Sequence, residues 1–296
     1  MRHANIGKFV VKINYLCRKD RTMRILLTND DGIDAKGMAT LVECLREFGE
    51  LLIVAPKKAQ SGMSMAVTMG YRPIAVKHVC DREGESWWYL DGTPASCIKY
   101  GLDNIMYPQK PDLVVSGVNH GSNAATASIY SATVGAAMEG AVNGIPSIAV
   151  SFDSFDPDAD LSVVRTFLPE VLRRLIPSMS GRFGEFYNIN FPSVPVPEVK
   201  GVKVTSMGKG HWEKEYRDFK EFLAERGRTM SPEDEAYLSA ADPDEQIVVM
   251  AGDFTDNAGN PGNADHLLLA DGWITVTPGN IDNTDYFEIE RLCAII

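Results

Sequence analysis

The sequence has no uninterrupted run of about 18 apolar residues, the shortest that would suggest a membrane-spanning helix. We therefore expect no membrane partner. The short apolar stretch near the N-terminus is broken at Lys12 and Asn14 and ends in Cys17-Arg18-Lys19. A secretory signal needs an unbroken apolar segment, so we expect a cytoplasmic protein. Residues 1–22 are predicted to be a basic, poorly ordered N-terminal extension.

Cysteine is scarce and unpaired: the five cysteines are widely spaced and form no CxxC motif. This pattern predicts reduced thiols, mostly buried as small apolar side chains. Positive charge is in deficit, because the net charge is −11 and no basic stripe occurs. Such a surface repels a polyanion, so duplex nucleic acid is not expected as a partner.

Short apolar runs alternate with segments of helical periodicity, a pattern typical of βαβ units around a parallel sheet. We predict strands at 24–28, 51–55, 112–116, 148–151 and 187–190, with extended segments near 64–78 and 86–90. Helices are predicted over 36–48, 94–106, 131–143 and 159–177. The predicted fold class is α/β, a Rossmann-like three-layer domain with a mostly parallel sheet over residues 23–192.

A proline-rich segment at 192–197 marks a predicted boundary. Residues 193–296 are predicted to be a β-rich extension with an oligomerisation arm that partly completes the core. Its predicted strands are 201–206, 246–250 and 273–277, and the acidic stretch 231–245 is predicted to be a solvated loop. The extension has too few elements for a core of its own, so we expect a homo-oligomer.

Three polar clusters follow predicted strands: 29–32 (NDDG), 60–62 (QSG) and 117–123 (GVNHGSN). Ligands bind at the carboxyl ends of parallel strands, so these clusters are expected to share one pocket. Adjacent Asp30 and Asp31 repel each other unless a cation lies beside them. Carboxylate, hydroxyl and amide oxygens suit Mg²⁺, Mn²⁺ or Ca²⁺. The alternative is that Asp31-Gly32 is only a turn and Asp30 a helix cap.

The glycine-rich segment 117–129, predicted to be a loop, could hold a phosphate with backbone N–H groups at the start of the 131–143 helix. Ser131 and Thr133 lie at that helix start, where ordinary N-capping is the alternative role. His120 lies within the segment and could face the phosphate, but a water-exposed loop histidine is the interpretation we favour.

Six motifs occur in one order: ILLTNDDGIDAKG, VAPKKAQSG, DGTPASC, PDLVVSGVNHGSN, YSATVGAAMEGA and NGIPSIAVS. Together they resemble the SurE family of 5′(3′)-nucleotidases. The resemblance is close over residues 23–152 and weaker at 188–192 and 272–278. It implies hydrolysis of nucleoside 5′-monophosphates by water, with 3′-nucleotides and short polyphosphate as further candidate substrates.

The resemblance also implies a site and an assembly. One divalent cation (Mg²⁺, Mn²⁺ or similar) per subunit would be held by Asp30, Asp31, Ser61 and Asn119. Phosphate contacts would come from Asn123 and from the turn between Ser131 and Thr133. The implied catalytic set is therefore Asp30, Asp31, Asn123, Ser131 and Thr133. Subunits that exchange C-terminal arms are also implied, as a homodimer or homotetramer.

The sequence departs from the family pattern in three places. Residues 125–128 read ATAS where members often carry an acidic pair, and Ala132 replaces the usual glycine of the YSGT motif. A helical backbone tolerates alanine at position 132, so we expect a changed level of activity and not its loss. The aromatic residues of 209–245 could stack on a nucleobase, or pack within an arm or a subunit interface.

Two other protein classes share features with this sequence. A receiver-like Mg²⁺-binding signalling module also has an acidic pair after its first strand, but it needs a later phosphoacceptor aspartate. Ser116, Gly117 and Asn119 stand where that residue should be. A dinucleotide-binding dehydrogenase needs GxGxxG after the first strand, and NDDG stands there instead. A nucleotide-binding protein without turnover remains an alternative.

Overall fold

The structure, a computed structural model, describes residues 22–70 and 72–296, so nearly all of the predicted N-terminal extension lies outside the described residues. The strands of the described residues are β1 (Met23–Thr28), β2 (Gly49–Pro56), β3 (Val76–Arg82), β4 (Glu85–Leu90), β5 (Leu113–His120), β6 (Ser147–Phe152), β7 (Glu185–Phe191), β8 (Val202–Val204), β9 (Gly210–Glu213), β10 (Tyr216–Asp218), β11 (Val248–Met250), β12 (Asp253–Asp256) and β13 (Ile274–Asn280).

The α-helices of the same residues are α1 (Lys36–Leu45), α2 (Pro94–Tyr100), α3 (Ala127–Tyr130), α4 (Ala132–Val142), α5 (Ser162–Leu175), α6 (Phe219–Glu225), α7 (Pro232–Ala240), α8 (Asp265–Ala270) and α9 (Tyr286–Cys293). Helix α2 continues as a π-helical turn, Gly101–Ile105. Thr93 caps its start, and Pro94 occupies its first turn, as the sequence predicts.

The central sheet has nine strands in the order β3-β4-β2-β1-β5-β6-β7-β13-β8. Six neighbouring strands, from β4 to β7, pair in parallel. β3 is antiparallel to β4 at one side, and β13 is antiparallel to β7 at the other. The C-terminal part of the chain therefore adds β13 and β8 to the sheet that the first part builds.

Helices cover both faces of the sheet because its strands are apolar on both sides. Ile25 and Leu27 of β1 pack on one face, in a core that includes residues of α1 and α5. Leu26 points to the other face and packs with Cys97 of α2 and Ala136 of α4. This alternation is what a strand buried on both faces requires. The predicted α/β three-layer architecture with a mostly parallel sheet is confirmed.

Three local predictions are wrong. Strand β5 continues to His120, so residues 117–120 are not part of a loop. Residues 231–245 contain helix α7, because Ser231 and Asp234 form a capping box and acidic residues fill its first turn. Of the extended segment predicted near 64–78, only the part from Val76 lies in a strand. Residues 64–70 and 72–75 lie in none, and the N–H groups of Ser64 and Thr68 donate to Tyr130 O and Ser96 Oγ.

The four described cysteines are all free, as predicted. Cys44 and Cys97 are buried, and burial raises the pKa of Cys44 to about 12. Cys80 is half-buried and Cys293 is exposed, so the expectation of mostly buried thiols holds for only part of the set.

The described chain forms two compact units. One combines the residues up to Gly208 with Pro261–Ile296 and contains the nine-stranded sheet. The other, Lys209–Asn260, contains two small antiparallel pairs, β9 with β12 and β10 with β11. Within the described ranges, no helix has the length and apolar character needed to cross a membrane. The predicted boundary near residue 192 stays a prediction.

Candidate metal and phosphate site

Three neighbouring strands carry the predicted polar clusters, because β1 pairs with β2 on one side and with β5 on the other. Asp30 and Asp31 follow β1 directly, and Asn119 lies near the end of β5. The segment after β2 is fastened to the same place, since the N–H of Gln60 donates to Asp30 O at 2.7 Å. The structure thus brings the three clusters to one edge of the sheet, as their positions predict.

Asp30 is the buried member of the acidic pair, with 3% of its surface exposed. The Thr133 hydroxyl at the start of α4 donates to Asp30 Oδ1 at 2.5 Å. Burial, reinforced by the neighbouring Asp31, raises the pKa of Asp30 to about 6, although the Thr133 hydrogen bond acts in the opposite direction. The protein alone therefore compensates the charge of ionised Asp30 only in part, and a cation beside it would add to that compensation.

Asp31 is more accessible and is held by His120. Its Oδ2 lies 3.2 Å from His120 Nδ1, and the His120 N–H donates to the same oxygen at 3.4 Å. The His120 side chain is only 8% exposed, so the favoured prediction of a water-exposed loop histidine is wrong. The reason is that His120 ends strand β5 and turns toward the acidic pair instead of entering a solvated loop.

Asn119 and Ser61 complete the predicted ligand set. Asn119 Nδ2 donates to Gly121 O at 2.7 Å, so its amide oxygen is the atom left to bind a ligand. Ser61 is exposed and follows Gln60, the residue bonded to Asp30 O. A direct contact of either side chain with a cation stays a prediction.

The donor set fits a hard divalent cation. Thr133 uses one oxygen of Asp30 and His120 uses one oxygen of Asp31, so each carboxylate retains a second oxygen that could bind a cation. All four predicted ligands offer oxygen, the donor that Mg²⁺ and Mn²⁺ prefer. No cluster of three or more His, Cys, Asp or Glu side chains suited to a metal occurs at residues 22–70 and 72–296.

Residues Gly121–Thr126, named here the site loop, connect β5 to α3. Asn123 is fixed within the loop by three side chains of β6 and β7. Its N–H donates to Asn190 Oδ1 at 2.8 Å, its carbonyl accepts from Asn188 Nδ2 at 2.8 Å, and its own Nδ2 donates to Ser151 Oγ at 2.7 Å. The predicted phosphate contact of Asn123 stays a prediction, for which the second hydrogen of its Nδ2 and the N–H groups of Ser122 and Ala124 are candidate donors.

Ser131 and Thr133 do have structural roles at the start of α4. Ser131 Oγ accepts from the Val134 N–H at 3.1 Å, which is the N-cap predicted as the alternative role. Thr133 is fully buried and directs its hydroxyl to Asp30. Contacts between this helix start and a phosphate stay a prediction.

Sequence reasoning missed several residues that fasten the site loop. Asn188 and Asn190 are two apart in a buried strand, and this spacing places both side chains on one face. That was an available signal for a polar site beneath the loop. Asp265, which accepts from the Ala125 N–H at 3.0 Å, carries no such signal, because a lone acidic residue at a helix start is ordinary.

A mostly parallel sheet with helices on both faces and an acidic pair at its carboxyl edge defines a Rossmann-like α/β protein. The sequence model of the family described as survival protein SurE matches residues 25–214. The chain therefore belongs to the SurE family, and the resemblance read from its six motifs is confirmed.

Two curated relatives illustrate the relationship. The 5′-nucleotidase SurE of Syntrophobacter fumaroxidans is 40% identical over 271 residues, covering 91% of this chain and 98% of that protein. The 5′-nucleotidase SurE of Bacteroides fragilis is 34% identical over 272 residues, covering 90% and 95%. The crystal structure of the SurE protein from Aquifex aeolicus superposes with a TM-score of 0.71 at 26% identity, covering 92% of this chain and 98% of that one.

Proposed function

We propose that the protein is a metal-dependent phosphomonoesterase that hydrolyses nucleoside 5′-monophosphates to nucleoside and phosphate. The observation that carries the proposal is the buried Asp30, paired with Asp31 at the carboxyl edge of the sheet. The names of the curated relatives, 5′-nucleotidase SurE, support the same enzyme class. Hydrolysis is therefore favoured over the receiver-like module and over nucleotide binding without turnover.

In this proposal one divalent cation per subunit binds Asp30, Asp31, Ser61 and Asn119. The bound cation would supply Lewis-acid polarisation of the phosphoryl oxygens and neutralise their charge. Thr133 and His120 hold the two carboxylates in place by the hydrogen bonds described above. Because the two carboxylates are already held in position, the site needs less reorganisation to reach the transition state.

The protein's own groups bind the phosphate and orient the water. The site loop with Asn123, and the helix start with Ser131, offer N–H and hydroxyl groups to phosphate oxygens. Asp30 is our candidate for the residue that orients the attacking water, because Thr133 fixes its carboxylate deep in the site. 3′-Nucleotides and short polyphosphate are further candidate substrates, and the cytoplasm is the proposed compartment.

The test measures phosphate release from AMP by the purified protein before and after treatment with EDTA. We expect turnover to vanish on removal of the metal and to return with Mn²⁺ or Mg²⁺, because all four proposed ligands are oxygen donors. Zn²⁺, buffered to the same free concentration as Mn²⁺ and Mg²⁺, serves as the comparison metal. Full activity in a protein verified as metal-free would contradict metal dependence, and no activity with any metal would contradict the enzyme class.

A further inference from the structure

Asp265 is a fully buried carboxyl that joins three separate segments of the chain. Its Oδ1 accepts from the N–H groups of Ala125 at 3.0 Å, Gly208 at 2.9 Å and His266 at 2.8 Å. Its Oδ2 accepts from the Thr277 hydroxyl at 3.3 Å. Burying a carboxyl is costly, so a chain keeps one where its hydrogen bonds hold something in place.

The bond to Ala125 falls where the site loop is least favourable on its own. Ala125 has a φ of 51°, in the left-handed region that a side chain with a Cβ disfavours by about 1 kcal/mol or more. Ala125 lies two residues after Asn123, so its conformation sets the direction in which the loop leaves the site. The hydrogen bond from its N–H to Asp265 stabilises that conformation.

Other restraints on the loop come from different elements of the fold. Ser151, Asn188 and Asn190 hold Asn123 from β6 and β7, whereas Asp265 holds Ala125 from the start of α8. The acidic pair has different partners, because Thr133 holds Asp30 and His120 holds Asp31. Asn119 bonds the loop only at its first residue, Gly121, four positions before Ala125. Loss of Asp265 should therefore disturb the loop without releasing the acidic pair.

We propose that Asp265 is a positioning residue for the reaction: it fixes the site loop so that the Asn123 amide and the N–H groups of Ser122 and Ala124 meet the phosphate. This inference rests on the proposed function, since it takes the loop as the phosphate-binding element. A general loss of structure would weaken phosphate binding and metal binding together, whereas this proposal predicts different effects on the two. Phosphate affinity and turnover depend on Asp265, and metal affinity does not.

The experiment compares Asp265→Ala and Asp265→Asn with Asp271→Asn, a control that removes an exposed carboxyl from the same region. Five quantities are measured for each: kcat and KM for AMP, the inhibition constant of inorganic phosphate, the Kd of Mn²⁺ by electron paramagnetic resonance, and Tm. Asp265→Ala should lower kcat/KM by about 10-fold or more and raise the phosphate inhibition constant, because small misplacements of positioning groups are costly.

Asp265→Asn keeps an acceptor at the Oδ1 position but loses the stronger hydrogen bonds of a carboxylate, so it should show the same changes reduced to about 3-fold. The Kd of Mn²⁺ should stay at the parental value in both variants, and Asp271→Asn should match the parent throughout. If Asp265→Ala does not fold, the milder Asp265→Asn decides the question alone.

Parental kcat/KM and phosphate inhibition in a folded variant would overturn the inference, as would a parallel weakening of Mn²⁺ binding. The second result would mean that Asp265 supports the whole site rather than the loop. A parent protein that releases no phosphate from AMP would contradict the proposed function instead. The two failures are therefore distinguishable in one set of measurements.

Discussion

Asp30 and Asp31 are neighbours in sequence but occupy different environments. The Asp30 carboxyl is buried and bonded to a hydroxyl, whereas the Asp31 side chain is 23% exposed and bonded to a histidine and its N–H. A substitution at Asp31 therefore removes charge from the site with less disturbance of packing. Asp31 is the better position at which to test whether the pair serves a cation.

We predict that Asp31→Asn lowers kcat/KM for AMP by roughly 10²-fold or more, because it removes one of two formal charges that offset the cation. Asn119→Ala removes a neutral oxygen ligand and should cost less. Raised Mn²⁺ should partly rescue Asn119→Ala, because its deficit lies mainly in metal affinity. Metal-titrated kinetics on both variants and the parent make the comparison.

Thermal melts provide the control for this pair of substitutions. Both variants should fold, and Asp31→Asn should not destabilise the metal-free protein, because it relieves repulsion with Asp30. Near-parental turnover of Asp31→Asn at limiting metal would mean that residues 29–32 are only a turn, the alternative that the sequence leaves open.

How far the site could be predicted from sequence depends on the residue. Asp30 and Asp31 come just after β1 and Asn119 lies near the end of β5, so strand prediction alone places them at one edge of the sheet. Asp265 could not be predicted in this way, because it is brought to Ala125 by a contact across 140 positions of the chain. The burial of His120 likewise depends on β5 extending two residues past its irregularity, between Ser116 and Asn119, which periodicity does not reveal.

At the scale of elements, helix α4 packs against the segment that carries Ser61. A Cβ placed on Gly135 would lie 2.1 Å from Ser64 O, so only glycine allows this approach. The Ser64 N–H and hydroxyl bind the carbonyls of Tyr130 and Ile129, which ties the same segment to α3. The position of Ser61 thus depends on how closely α4 lies.

We predict that Gly135→Ala pushes the 60–64 segment away and weakens metal binding. Overpacking of this kind costs about 1–3 kcal/mol, so the Mn²⁺ concentration for half-maximal activity should rise about 5-fold or more. Calorimetric Mn²⁺ titration measures the change directly. The matched control is Gly262→Ala, where a Cβ meets no atom within 4 Å. Unchanged Mn²⁺ affinity in folded Gly135→Ala would contradict the assignment of Ser61 as a metal ligand.

At the scale of the whole molecule, the predicted assembly is a homodimer or homotetramer. Helix α9 carries Tyr286, Phe287 and Ile289, which are 64%, 89% and 45% exposed in the single chain. Exposed apolar side chains clustered on one short helix are typical of a protein interface. We expect light scattering at about 10 µM to give a mass of at least twice 32.5 kDa, because apolar burial drives association.

Phe287→Asp provides the companion test, since a buried charge at an apolar interface opposes association. It should shift the mass distribution toward the monomer and make it depend on concentration. A parent protein that is monomeric at this concentration would contradict the predicted assembly.

The overall topology was predictable only where neighbours in sequence are neighbours in the sheet. The apolar runs of β1, β2, β5, β6 and β7 each indicate a strand, and βαβ connections impose their parallel arrangement. The place of β13 was not predictable, because an antiparallel strand from the end of the chain enters between β7 and β8. Nothing local in its sequence specifies that partner.

The same topology makes residues 209–260 an insertion between two neighbouring strands of the sheet. Strands β8 and β13 are direct neighbours in the sheet, although more than sixty residues separate them in sequence. At the base of the intervening unit, the Lys209 N–H donates to Asn260 Oδ1 at 2.8 Å, and Asn260 Nδ2 donates to Lys209 O at 2.7 Å. Because the two ends of this unit are hydrogen-bonded to each other, a short turn or another domain could replace it without changing the strand connectivity of the nine-stranded sheet. We therefore expect this unit to be the part of the chain that tolerates insertion, deletion or replacement, both in evolution and in protein engineering.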